Sequence, residues 1–432
     1  MQLPGRIAAA IEVLDDVATR HRPVALALKD WGVRHRFAGS GDRAAIGNLV
    51  YDALRKRASH AHAMGAYTPR ALVLAVAVFD WGSDPATLNA GFAADKFGPD
   101  AISDAEMARL TAEDPLKGAA DHVRADVPEW LAPSLQAAFG DRWIEEARAL
   151  TERPPLDLRV NRLKADPERV TKALKRFEPQ ASAIAPMALR MAAGSGNART
   201  PNVQSDEGYL KGWFEIQDQG SQLVAALAGA VPGQQVLDLC AGAGGKTLAL
   251  AAAMQNKGQI FAYDTDRSRL APIYDRLKRN GARNVQVRAP EPGALDDLVG
   301  KMDRVVVDAP CTGTGTWRRR PDTKWRLTAD QLAARQAEQA EILAGAADYV
   351  KPGGQLVYIT CSVLPEENSA QIAAFLAARQ DFSAVPASGV WFDRVGREAP
   401  EGLYDGPDGV MLTPATTGSD GFFVAILARR VA

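Results

Sequence analysis

The sequence predicts an α/β protein in three parts. These are an all-α region over residues 1–150, a small α+β unit over 151–225, and a doubly wound, Rossmann-like sheet over 226–432. Three observations carry this reading. Apolar residues recur at helical spacing early in the chain. Short runs of β-formers alternate with helical patterns late in it. A glycine-rich turn joins the first of those late strands to a helix. Composition agrees: of 432 residues, 47% are hydrophobic and 24% are charged, as in a folded globular chain.

In the first part, Ile7, Ile11, Leu14 and Val17 share one helix face. Ile46, Leu49, Val50, Ala53 and Leu54 share another, with Asp42 placed to cap that helix. Pro69 followed by Leu72 to Phe79 predicts a buried helix that opens at the proline. Residues 1–60 hold ten Lys/Arg against six Asp/Glu, with Arg55-Lys56-Arg57 together. Such a run is either a solvated helix face or a surface for RNA. In the second part, Thr151-Glu-Arg-Pro-Pro155 reads as a linker. Leu156-Asp-Leu-Arg-Val160 alternates like a strand. Asp166-Pro167 opens a helical pattern through Val170, Leu174 and Phe177, and Gly194-Ser-Gly-Asn197 reads as a loop.

In the third part, five strands are predicted. They are Val236-Leu-Asp-Leu239, Gln259-Ile-Phe-Ala-Tyr263, Asn284-Val-Gln-Val287, Arg304-Val-Val-Val307 and Gln355-Leu-Val-Tyr-Ile359. Phe422-Phe-Val-Ala-Ile-Leu427 predicts a further one. Such short apolar runs, rich in β-formers, are expected of strands covered on both faces. Ligands of such a sheet bind beyond the carboxyl ends of its strands.

Several chemistries are disfavoured at the outset. The longest clean apolar run, Ala71 to Phe79, is far short of the ~20 residues of a membrane span. Glu12, Asp15 and Asp16 interrupt the early apolar residues, so no signal segment is expected and a cytoplasmic protein is. Three cysteines, Cys240, Cys311 and Cys361, form no CxxC pair, so no metal site is expected. All five histidines lie at or before His122, so later chemistry must use Cys, Asp, Glu, Lys, Arg or a cofactor. The formal net charge is −1, which leaves room only for a local nucleic-acid patch. Nothing suggests an oligomer, and a monomer is expected.

The glycine-rich turn is Asp238-Leu-Cys-Ala-Gly-Ala-Gly-Gly-Lys-Thr247. A P-loop needs Gly six positions before its Lys, where this chain has Cys240. A dinucleotide fingerprint needs Gly or Ala where Thr247 stands. The remaining reading is S-adenosylmethionine, held by a looser turn on the same kind of sheet. Asp264, about 20 residues on, is placed to accept from two ribose hydroxyls.

Two cysteines fall at predicted strand ends: Asp308-Ala-Pro-Cys311 and Thr360-Cys361-Ser362. A thiolate helps methyl transfer only where the acceptor atom is not itself nucleophilic. Carbon 5 of a pyrimidine is such an atom. Attack on carbon 6 makes an enamine-like intermediate whose carbon 5 accepts a methyl group, after which a base removes the proton on carbon 5. A cation such as Lys246 or an Arg would favour the thiolate.

These motifs resemble those of the RsmB/NOP/Sun family of RNA cytosine-5 methyltransferases. The resemblance lies in the glycine-rich turn, in Asp308-Ala-Pro-Cys-Thr-Gly313, and in Tyr358-Ile-Thr-Cys-Ser-Val-Leu-Pro-Glu-Glu-Asn368. Phe214 to Gln222 and Gly421-Phe-Phe-Val-Ala425 are similar to that family's entry into the catalytic domain and its last strand. The helical region resembles the NusB-like RNA-binding domain of bacterial RsmB-type members, and residues 155–220 their small middle domain. The resemblance implies a class I methyltransferase fold and a 5-methylcytosine product.

By motif, it implies Cys361 as nucleophile and Cys311 in proton removal or product release. Asp308 and Lys246 would hold the cytosine. Cys240, Ala241, Gly242, Ala243, Gly244, Gly245 and Lys246 would wrap the cofactor together with Asp308, while Asp264 would hold its ribose with Arg269 nearby. The family commonly has an Asp after the third strand for the adenine. Here Val287-Arg-Ala-Pro-Glu291 has none, leaving backbone groups or Glu291 for that contact. The turn also reads Gly-Ala-Gly where many members have Ala-Pro-Gly.

After Cys311 comes Trp317-Arg-Arg-Arg-Pro-Asp-Thr-Lys-Trp-Arg326, five cations and two Trp with one Asp. Arg318, Arg319, Arg320, Lys324 and Arg326 are expected to bind RNA phosphates, with a Trp to stack a base. The expected substrate is 16S ribosomal RNA, with transfer RNA as an alternative. A DNA methyltransferase would use Cys311 as nucleophile and leave Cys361 without a role. A non-catalytic RNA-binding ribosome-assembly factor is the rival from another class, disfavoured because both cysteines and the turn are intact.

Overall fold

The computed structural model describes residues 1–431. The chain forms two compact units. One is Met1–Arg153 with Ala193–Thr200 and Trp317–Arg326; the other is Pro154–Ala192, Pro201–Thr316 and Leu327–Ala432.

The first unit is helical. Helices Leu3–Arg20, Val24–Arg34, Ser40–Arg55 and Arg57–Met64 are followed by Pro69–Ala75 and shorter helices to Ala149. Ile7, Ile46, Leu49, Val50 and Leu74 are wholly buried, so the apolar stripes pack into one core. Such a side chain contributes about 1.5–3 kcal/mol when fully buried. The helix at Pro69 starts as the proline predicts, with Thr68 accepting from the Ala71 amide. It does not run evenly to Phe79: Val76–Asp80 widens into a π-helical turn. Asp42 is not a cap. Helix Ser40–Arg55 starts two residues earlier, with Gly39 at its N-cap. Asp42 instead accepts from Arg6 Nε at 3.0 Å and pairs with the Met1 amino group at 3.2 Å.

The second unit holds two sheets. In the smaller, β1 (Leu156–Val160), β2 (Gln180–Ala181), β3 (Ala188–Met191) and β4 (Phe214–Ile216) lie in the order β2-β3-β1-β4, all antiparallel. Helix Pro167–Ala173 opens with Asp166 capping the Arg169 amide.

The larger sheet contains β5 (Gln235–Asp238), β6 (Gln259–Tyr263), β7 (Val285–Arg288), β8 (Met302–Asp308) and β9 (Val350–Thr360), all parallel. To these it adds β10 (Phe382–Val385), β11 (Tyr404–Gly406), β12 (Gly409–Leu412) and β13 (Phe422–Arg429). The order is β11-β12-β13-β9-β8-β5-β6-β7, with β10 beside β13. The strand order reverses between the parallel β5 and β8, so a crevice is expected beyond those two strand ends.

The apolar runs follow from burial on both faces. Val306, Val357, Ile359, Val424 and Ile426 join one core; Val305, Val307, Leu356, Tyr358, Phe423 and Leu427 join the other. Successive residues of a strand point to opposite faces, so both layers demand apolar side chains. β10 to β12 escaped the sequence reading. They are three or four residues long, and β11 ends at Gly406 while β12 begins at Gly409.

Candidate active site

Four side-by-side strands, β6, β5, β8 and β9, deliver the site from their carboxyl ends. The turn after β5 winds through Gly242 at φ +48° and Gly244 at φ +84°. Gly244 is obligatory, because a Cβ there would stand 2.6 Å from Ile273 Cγ1. The turn is held from outside. Ala241 N donates to Tyr263 O (2.8 Å), the Ala243 carbonyl accepts from Arg276 (2.7 Å), and the Gly245 carbonyl accepts from Arg159 (3.3 Å). Inside the turn, burial pushes the Cys240 thiol up.

Two carboxylates flank the turn. After β6, the buried Asp264 accepts from Gly242 N and Asp266 N, both at 2.9 Å. Arg269 stands 3.6 Å from it. At the end of β8, Asp308 remains one-third exposed and pairs with Lys246 Nζ at 3.2 Å. Lys246 is 5% exposed and also donates to Ser221 Oγ at 2.9 Å. Below them, burial pushes Asp238 up to about 7, although Thr247 Oγ1 donates to it at 2.6 Å; the Asp308 and Asp264 charges add to the rise. Glu291 is exposed and stands 3.5 Å from Arg267.

The two cysteines meet. Cys311 follows β8, Cys361 follows β9, and their Sγ atoms are 3.4 Å apart. Gly315 N donates to the Cys361 carbonyl (2.9 Å), and Gly421 N to the Gly315 carbonyl (2.8 Å). A Cβ on Gly315 would lie 2.2 Å from the Gly421 carbonyl, so that crossing of loops needs glycine. The Cys361 loop is tied within itself by Asn368, which donates to Ser362 O (2.9 Å), and to the Cys311 loop by Ser362 Oγ, which lies 3.0 Å from Thr314 Oγ1. The neighbouring Cys361, burial and the Glu367 charge all hold the Cys311 thiol protonated well above its ordinary range.

Sequence reading missed Ser221, Glu367, Gln339 and Arg159. Ser221 and Glu367 stand inside stretches that were singled out, but nothing there indicates which neighbours face inward. Among the described residues no group of three or more His, Cys, Asp or Glu side chains is arranged to hold a metal ion. No single helix among them is long and apolar enough to cross a membrane.

The basic stretch does not form the open patch its composition suggests. It belongs to the helical unit. Trp317, Arg318 and Lys324 are buried, at 1%, 3% and 1% exposure. Lys324 Nζ donates to Arg55 O (2.9 Å) and lies 4.9 Å from the Trp325 ring centre. Trp325 Nε1 donates to Leu54 O (2.6 Å), and Arg55 Nε to Arg318 O (2.9 Å). Helix Ser40–Arg55 ends here, and these donors satisfy the free carbonyls of its last turn. Arg320 and Arg326 are exposed and Arg319 is half-buried. The Arg55-Lys56-Arg57 run is likewise engaged. Arg55 pairs with Asp52 (2.8 Å), Lys56 with Asp80 (2.5 Å), and Arg57 lies over Tyr67 (4.3 Å).

This sheet order, with a glycine turn and paired carboxylates at its switch point, is the Rossmann-like frame of methyltransferases. The structure aligns over 99% of both chains with the crystal structure of PH0851, at a TM-score of 0.73 and 25% identity. It aligns over 72% of this chain and 97% of the other with a methyltransferase homologue from Pyrococcus horikoshii, at a TM-score of 0.58 and 28% identity.

A family described as 16S rRNA methyltransferase RsmB/F matches residues 225–428, and the ferredoxin-like domain of RsmF/B-like methyltransferases matches 127–195. Ribosomal RNA small subunit methyltransferase B of Klebsiella pneumoniae is 36% identical over 308 residues, 70% of this chain. The protein of that name from Pseudomonas syringae is 34% identical over 308 residues, 71% of this chain. Each match spans 66% of the relative's length. The chain belongs to the RsmB/F methyltransferase family.

Proposed function

We propose that this protein is an S-adenosylmethionine-dependent methyltransferase of small-subunit ribosomal RNA that methylates carbon 5 of a cytosine through Cys361. The observation that carries this reading is the 3.4 Å approach of the two thiols beside the glycine turn. The relatives' names, ribosomal RNA small subunit methyltransferase B, support the choice of RNA.

The residues of the turn fit the cofactor's chemistry. Asp264 keeps lone pairs for ribose hydroxyls after its two backbone bonds, and Asp308 offers a one-third exposed carboxylate to an ammonium. Gly242 to Gly245 let the backbone come close. When bound, S-adenosylmethionine supplies an electrophilic methyl group on a sulfonium.

The protein's part is to make carbon 5 nucleophilic. Cys361 Sγ forms a bond to carbon 6, and the ring electrons shift to carbon 5. Lys246, fixed by Ser221 and Asp308, donates to the ring's polar edge and spreads that charge. After methylation Cys311 takes the proton from carbon 5, the 5,6 double bond re-forms, and the carbon–sulfur pair returns to Cys361. The cytosine must leave its stack, at a cost of a few kcal/mol that is least in a loop or single strand. Arg320 and Arg326 are exposed and would meet RNA phosphates, Arg326 while also paired with Asp322 at 3.1 Å.

The test uses purified protein, labelled S-adenosylmethionine and ribosomal RNA from a strain lacking the gene. Label in 5-methylcytidine supports the reading. Label in another nucleoside overturns the two-thiol chemistry. Cofactor binding without transfer to ribosomal or transfer RNA favours an assembly factor.

A further inference from the structure

Glu367 lies six residues beyond Cys361 and is wholly buried. Its carboxylate accepts from Thr312 N (2.8 Å), from Thr312 Oγ1, and from Gln339 Nε2 (3.0 Å). Gln339, on helix Ala329–Ala347, is also wholly buried, and the same nitrogen donates to Pro310 O at 2.9 Å. The residues on both sides of Cys311 are thus gripped by one carboxylate and one amide. Among the described residues no Lys or Arg pairs with Glu367. A buried carboxylate without a cation is costly, and an apolar residue or a neutral amide would fill the space at less expense. A charge kept here points to the chemistry beside it.

We propose that Glu367 is the positioning residue of Cys311: its carboxylate clamps the Pro310–Thr312 turn against the Cys361 loop and sets a negative charge beside the thiol pair. This rests on the two-thiol reading above and adds an order of events to it. The cycle starts with Cys311 as thiol, donating toward Cys361 Sγ while that sulfur attacks carbon 6. Once Cys361 is bonded to carbon, Cys311 loses its proton to solvent. Its thiolate, made more basic by Glu367, then removes the proton on carbon 5. The titratable groups facing Cys311 are Cys361 from its own loop, Glu367 from the turn after it, and Tyr358 from β9, whose hydroxyl donates to Glu367 O at 2.8 Å. Asp308, paired with Lys246, lies three residues upstream on the end of β8.

The experiment follows breakdown of the covalent protein–RNA adduct against pH, with single-turnover labelling on the full chain. Glu367→Gln keeps the shape and can keep all three hydrogen bonds, since an amide nitrogen can donate to Thr312 Oγ1. It removes only the charge. Its pH limb for breakdown is expected to move acid-ward by about one pH unit or more, because a like charge nearby raises a thiol's proton affinity. Thr312→Val keeps the charge but loosens the clamp; it is expected to slow breakdown and leave the limb in place.

A second readout needs no RNA. In a Cys361→Ser background, the pH dependence of Cys311 alkylation by iodoacetamide is expected to shift acid-ward with Glu367→Gln. Unshifted limbs in both assays, from variants that melt as the parent does, overturn the proposal. If Cys311→Ala yields no protein-linked RNA at any pH, the two-thiol reading has failed instead. The alkylation shift then decides the electrostatic effect of Glu367 by itself.

Discussion

Two stretches that nearly adjoin in sequence, Asp308–Cys311 and Trp317–Arg326, turn their polar groups in opposite senses. At the end of β8 the chain has just left a strand buried on both faces, and its next side chains meet the crevice at the switch point. Asp308 is one-third exposed there, and Cys311 reaches Cys361. In the basic stretch the composition is far more hydrophilic, yet Arg318 and Lys324 are buried against the last turn of helix Ser40–Arg55. The difference teaches that strand position constrains a side chain more tightly than charge does. A strand end has one exit. A lysine stem of four methylenes can lie along tryptophans while its ammonium finds carbonyls.

The comparison can be tested from its strongest side first. Cys361→Ala is expected to lower methyl transfer by at least about a thousandfold while cofactor affinity stays near that of the parent, since a nucleophile contributes to chemistry rather than to ground-state binding. Filter-binding of labelled cofactor beside a transfer assay checks both halves. Cys311→Ala should instead accumulate a protein–RNA adduct visible on a denaturing gel. Normal product release by that variant would remove Cys311 from its assigned step.

The buried side of the comparison is a matter of stability. Lys324→Ala is expected to cost about 2 kcal/mol or more, through a cavity and an unsatisfied Arg55 carbonyl. Burial pushes the Lys324 ammonium down to about 8 from its ordinary 10.5. Between those values the unfolded chain binds more protons than the folded one, so stability should rise with pH through that window. Lys324→Met should flatten this rise in denaturant melts, and should leave RNA affinity unchanged. Arg320→Ala and Arg326→Ala should do the converse: little change in melting, and a salt slope of RNA binding smaller by up to about one each.

Asp238 offers the mirror-image window. Burial raises it to about 7 from 3.8, so the folded chain holds the extra proton between those values. Stability should therefore fall as pH rises from about 4 to 7, at up to about 1.4 kcal/mol per unit. Asp238→Asn should remove that slope, as read from melts across pH.

Much of the larger sheet was legible because its physical demand is repetitive. β5, β6, β8, β9 and β13 are buried from both sides, so each advertises itself as an apolar run, whereas the edge strand β7 is only partly buried and shows itself through Val285 and Val287 alone. The short strands β10 to β12 carry no such signal. Asp42 shows the limit of local rules. It has the chemistry of a cap, but its carboxylate is used by Arg6 and the Met1 amino group. Glu367 and Gln339 were illegible for the same reason. Their hydrogen bonds run 55 and 29 residues away to Thr312 and Pro310.

The sequence by itself determined the order of helical and strand regions, the glycine turn, and which carboxylates and thiols stand at strand ends. Periodicity and backbone freedom are local properties, and they act over a few residues. Only the tertiary structure decided that the two sulfurs lie 3.4 Å apart, that Lys246 is shared between Ser221 and Asp308, and that Lys324 is buried. Those outcomes depend on which strands become neighbours and which carbonyls a long side chain can reach. That is set by packing between residues remote in the chain.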